Sequence, residues 1–94
     1  MAERTTEERQ AGLRLTLIRE LLHKIESQRR FAALLGVEQQ RYNNWERGWP
    51  IDRQVLKRLC EITPGLTADY VLFGWTRGLT VQIWRKLRLE DNKR

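Results

Sequence analysis

Apolar residues recur along this chain at helical spacing, and no stretch shows the strict alternation of a half-buried strand. Leu13, Leu17, Leu21 and Ile25 repeat every four residues, with Ile18 and Leu22 beside them. Thr5 and Glu8 stand in the S/T-x-x-E relation of a capping box, which predicts a first helix from there to about Ile25. Gly12 weakens its first half, because glycine loses more backbone entropy in a helix than other residues do. Ser27 can cap a second helix, Gln28–Leu35. Its inward face would hold Phe31, Leu34 and Leu35, and the small Ala32 would let another helix cross closely. Gly36 suits a left-handed C-terminal turn, and Val37 would drop into the core. A third helix is predicted from about Glu38 to Arg47, stopped by Gly48 and Pro50.

Trp49-Pro50-Ile51 reads as a loop, after which Asp52 can cap a helix over about Arg53–Ile62. Val55, Leu56, Leu59, Cys60 and Ile62 would face inward. Thr63-Pro64-Gly65 breaks the chain. Thr67 caps a short helix with Asp69 in its first turn and Tyr70, Val71 and Phe73 closing the core. A second break, Gly74 to Gly78, precedes a helix of about Val81–Leu89 capped by Thr80. Val81, Trp84 and Leu87 would form its apolar stripe with Ile83 near the edge, opposite Arg85, Lys86 and Arg88. Residues 1–5 and 90–94 are expected to lie outside regular structure. The fold class is therefore all-α.

The stretch from Gln28 to Arg47 is the most informative. With Gln39 set at zero and about 100° per residue, Gln40, Asn43, Asn44 and Arg47 fall at about 100°, 40°, 140° and 80°. Tyr42 and Trp45 fall at about 300° and 240°, on the other side. The spacing is that of a helix-turn-helix, whose second helix can enter the DNA major groove. A solvated face would more often carry Lys and Glu, which are stronger helix formers than Asn. Gln and Asn can make two-point bonds to adenine edges, and Arg to guanine, so this arc reads as a base-reading face.

These residues carry a family resemblance. Gln28, Phe31-Ala32, Leu35-Gly36-Val37, Gln39-Gln40, Tyr42 and Trp45-Glu46-Arg47-Gly48 resemble the Xre family of helix-turn-helix regulators, which includes the lambdoid phage repressors and Cro. Leu66-Thr67-Ala68-Asp69-Tyr70-Val71-Leu72-Phe73-Gly74 resembles the segment that closes this domain in many members. The likeness covers roughly residues 12–74, leaving an N-terminal extension at 1–11 and a C-terminal helix and basic tail at 75–94. It implies a compact five-helix, repressor-like DNA-binding domain with an additional C-terminal helix. Gln39, Gln40, Asn43 and Asn44 would contact bases. Gln28 would bond a phosphate and brace Gln39, and Arg29, Arg30, Arg41 and Arg47 complete the expected phosphate contacts. The family often pairs a first-helix arginine with the glutamate matching Glu46; Arg19 is the first candidate here and Arg14 the second. Glu38 departs from the Ser or Thr that often caps the family's recognition helix.

Ninety-four residues bound a single domain, large enough for a modest helical core. The net charge of +6 is unevenly spread: residues 1–26 sum to zero, whereas 27–50 carry +2 and 79–94 carry +3. Basic charge on the motif adds sequence-independent affinity for phosphates. No apolar run approaches the ~20 residues of a membrane span, and MAERTTEERQ has no apolar core of a secretory signal, so a cytoplasmic location is the default. Cys60 has no partner for an internal disulfide and is read as a small core residue. With one Cys and one His there is no zinc spacing, and His23 is expected on a helix surface. No catalytic or phosphate-loop motif is present, so neither an enzyme nor a cofactor is expected. The expected function is a double-stranded DNA-binding regulator acting as a homodimer, with Trp75, Trp84 and Leu87 as candidate dimer contacts. The alternative is a protein-interaction module, such as an antitoxin or adaptor, that keeps the fold and binds a protein partner.

Overall fold

Six helices follow one another among the described residues, and no strand is present there. The computed structural model describes residues 5–92, with side chains described as far as Leu87. Helix α1 spans Thr6–Leu17 and continues as a π-helical stretch, Ile18–Leu22. It is followed by α2 (Gln28–Leu35), α3 (Gln39–Glu46), α4 (Arg53–Glu61), α5 (Ala68–Phe73) and α6 (Val81–Asn92). The expected end of order at residue 90 is corrected, since α6 runs on to Asn92. The expectations for residues 1–4, 93 and 94, and for the side chain of Arg88, lie outside the described residues.

Local chemistry sets most helix ends. Thr5 accepts from the Glu8 amide while Glu8 accepts from the Thr5 amide, completing the capping box. Ser27, Asp52 and Thr67 each accept a first-turn amide of the helix they precede. Gly36 ends α2 at φ 78°, where a residue with a Cβ is strained. The first helix departs from its predicted course. The His23 amide bonds the Ile18 carbonyl, five residues back, and the Ile25 amide reaches Arg19, six residues back. These wide turns, with Lys24 at φ 55°, unwind the helix before Ile25.

The core joins all six helices: Leu15 and Ile18, Phe31, Ala32 and Leu35, Tyr42 and Trp45, Val55, Leu56 and Leu59, Tyr70 and Val71, and Ile83 and Leu87 are buried. Several faces are rotated from expectation. Ile18 is buried with the stripe it was expected to join, but Leu13 is exposed, and Gly12, Leu15 and Arg19 turn inward instead. A strict four-residue repeat walks about 40° per step around an α-helix, so it cannot hold one face over that length. Leu34 is exposed because Gln28, Phe31, Ala32 and Leu35 centre the buried arc of α2 away from it. Phe73, expected to close the core, is exposed and stacks with Trp75 at 5.0 Å. On α6 the buried pair is Ile83 and Leu87, with Val81 and Trp84 turned outward. Leu87, a candidate dimer contact, is therefore buried in the core of the chain itself. Val37, Cys60 and Ile62 pack partly buried against the core, and burial pushes the Cys60 thiol up. No helix among the described residues is long and apolar enough to cross a membrane.

Candidate nucleic-acid interface

Helix α3 is held from behind and polar in front. Tyr42 and Trp45 are buried, and their rings continue a row that begins on other elements. His23 lies 5.0 Å from Phe31, Phe31 meets Tyr42 edge-on at 5.4 Å, and Tyr42 meets Trp45 edge-on at 6.2 Å. The C-terminal end of α3 is pressed against α1 at Gly12: a Cβ there would stand 2.4 Å from the Glu46 carbonyl oxygen and 2.9 Å from the Gly48 nitrogen. Gly12 is the residue that lets the two backbones meet, a role its low helix propensity conceals.

Glu46 is the polar anchor. Arg19 Nε donates to Glu46 Oε2 at 2.8 Å and Arg19 Nη2 to Oε1 at 3.2 Å. Arg19 Nη1 also donates to the Ile25 carbonyl at 3.0 Å and to the Glu26 carbonyl, so one guanidinium joins the π-helical stretch, the turn before α2 and the end of α3. The pairing expected of Arg19 is present, and the π-helical stretch is where this arginine sits. Arg14 instead donates to the Val71 and Leu72 carbonyls at the end of α5, both at 3.1 Å. Burial disfavours the Glu46 charge, yet hydrogen bonding from Arg19, with Gln28 contributing, holds the carboxyl below its ordinary value. Burial, with the Glu46 carboxylate nearby, pushes the Tyr42 phenol far up, and Tyr42 Oη has no partner at hydrogen-bond distance among the described residues.

The front of α3 holds the residues singled out from the sequence. Gln39 and Gln40 are exposed, and Asn43 and Asn44 are half-buried. Gln40 Nε2 donates to Asn44 Oδ1 at 3.3 Å. Arg29, Arg30 and Arg47 are exposed and form no ion pair among the described residues. Arg41 is turned aside: it bonds Asp52 at 3.2 Å and lies over the Trp45 ring at 5.5 Å from its centroid. Gln28 does not brace Gln39; its Nε2 donates to Glu46 Oε1 at 2.8 Å. Glu38 precedes α3 without a side-chain cap bond. Trp75 and Trp84 are exposed on the C-terminal part of the chain.

His23 was missed as a structural residue. It is half-buried, its Nε2 lies 2.7 Å from Thr63 Oγ1, and burial lowers its pKa below the ordinary 6.5. Nothing local marks it, because Thr63 is 40 residues away. Among the described residues, then, the molecule presents a rigidly backed helix with an amide front, flanked by unpaired arginines. Compared with family models, curated proteins and solved structures, the chain matches none of them.

Proposed function

We propose that the chain is a sequence-specific regulator of double-stranded DNA, with α2 and α3 forming a helix-turn-helix and α3 lying in the major groove. The observation that carries this reading is the division of α3: both aromatics face the core, and Gln39, Gln40, Asn43 and Asn44 are left on the other side. Four amides offer paired donors and acceptors to base edges, adenine above all. Arg29, Arg30 and Arg47 reach phosphates and supply the salt-sensitive part of the affinity. The carboxylate of Glu46, which would repel phosphate, is neutralised internally by Arg19. Residues 12–74 form the DNA-binding unit in this proposal, and two copies bind a two-fold site through contacts that include Trp75 and Trp84.

Selection from random duplexes, followed by sequencing, tests the reading. The expected result is an enriched motif with two-fold symmetry and half-sites about one helical turn apart. Failure to enrich any motif would reject it. A protein-interaction module is the second reading, favoured by the exposed Phe73–Trp75 pair and exposed Trp84. It predicts a stable protein complex that Trp84→Glu abolishes while duplex selection stays empty.

A further inference from the structure

Behind Trp45 a groove of about 430 Å³ opens between the start of α1, the α3–α4 loop and the end of α5. Small-ligand sites span about 300–1,000 Å³ and are mostly apolar with a few placed polar groups. Leu15, Trp45 and Val71 are buried and form its deep part, whereas Trp49 and Phe73 are exposed at its rim. Its charged lining residues are Glu7 and Glu8, and no Lys, Arg or His lines it among the described residues. One Glu8 oxygen is engaged by the Thr5 amide at 2.7 Å, while Glu7 makes no hydrogen bond or ion pair among the described residues.

This combination selects one ligand chemistry. The apolar depth favours a hydrocarbon body, which gains by leaving water. Carboxylates at one edge attract positive charge, and the faces of Trp and Phe rings attract it too. An anion would meet repulsion and no donor side chain of opposite charge. A folded partner is a poorer fit than a small molecule, because the groove is bounded on three sides by α1, the loop and α5.

We propose that this groove is a binding site for a small organic cation, an arylalkyl ammonium compound with its ring against Leu15, Trp45 and Val71 and its charge at the Glu7–Glu8 edge. The site does not depend on the DNA reading, since nothing in it uses the outer face of α3. Its occupant touches Trp45 and the loop beginning at Gly48, so it contacts the inner side of α3.

Nuclear magnetic resonance titration of the full chain with phenethylamine, phenethyl alcohol and phenylacetate tests the proposal. The amine is expected to give saturable shifts centred on Ala11, Trp49, Val71 and Phe73. The alcohol should bind about fivefold more weakly, the loss of one solvent-exposed charge pair, and phenylacetate more weakly again. Glu7→Gln should bring the amine towards the affinity of the alcohol with the rest of the spectrum unchanged. Phe73→Ser, at the exposed rim, should weaken all three. Absence of saturable shifts, shifts scattered elsewhere, equal binding of amine and phenylacetate, or an unchanged amine affinity in Glu7→Gln would each overturn it. Shifts of the same residues that depend on protein concentration without any added compound would assign the groove to a second copy and also overturn it.

Discussion

Gly12 and Gly36 show how differently two glycines act. At Gly36 a Cβ would meet nothing within 4 Å, so the constraint is the backbone angle alone. Gly36→Ala is expected to cost ~1–2 kcal/mol, the penalty of a left-handed non-glycine residue, with the fold intact. At Gly12 the backbone is ordinary helix, and alanine would gain ~1 kcal/mol of propensity. The Cβ would nevertheless collide with the backbone of Glu46 and Gly48. Gly12→Ala should therefore be net destabilising by roughly 1–3 kcal/mol, as overpacking is. Urea unfolding checks both, and a stabilised Gly12→Ala would refute the close approach of α1 to α3.

Two side chains make stability depend on pH in the same direction. Burial holds His23 below its ordinary 6.5, so the unfolded chain takes up that proton first. Its contribution is complete above pH 6.5 and falls as the pH drops below it. The Glu46 carboxyl is held below its ordinary 4.5, so its contribution is present above pH 4.5 and is lost as pH falls further. Unfolding free energy measured across pH should show two successive acid limbs. His23→Gln should remove the upper limb and Glu46→Gln the lower one.

At the scale of elements, α3 is positioned chiefly by what lies behind it. Arg19 and Glu46 are each 6% exposed at the side chain, so neither charge can be left alone cheaply. Arg19→Ala is expected to cost ~3–5 kcal/mol, the usual penalty for stranding one partner of a buried pair. The front of α3 should behave in the opposite way. Gln39→Ala is expected to leave thermal unfolding unchanged and to remove ~1–3 kcal/mol of discrimination at one base position. Binding measured on a panel of single-base variants separates this from a general loss of affinity.

For the whole molecule, charge placement is more telling than net charge. Arg29, Arg30 and Arg47 are exposed and form no ion pair among the described residues, whereas Arg41 is shared with Asp52 and Trp45. Three phosphate contacts per copy, doubled in a dimer, would weaken binding about a thousandfold between ~50 and ~200 mM salt. Arg29→Ala should lower the slope of log affinity against log salt by about one per contact removed. Arg41→Ala should change that slope much less. Equal effects of the two substitutions would mean that the Arg41–Asp52 pair opens on DNA.

The features legible in the chain alone are local ones. Thr5, Ser27, Asp52 and Thr67 cap helices through bonds to residues two or three positions away, and Gly36 turns left-handed for want of a Cβ. Such interactions are complete within a few residues, so their positions are written in the chain. The inward placement of Tyr42 and Trp45 followed from spacing over one turn, too short for the helical period to drift. Which face the longer first helix buries, and which face α6 buries, depended on neighbours the spacing does not name. The π-helical stretch rotates the chain at Ile18–Leu22, and α6 turns Ile83 and Leu87, not Trp84, to the core. The polar contacts were decided in the same way. Arg19 with Glu46 spans 27 residues, His23 with Thr63 spans 40 and Arg14 with Val71 spans 57. A long polar side chain can serve many partners, and only the packed backbone decides which one comes within reach.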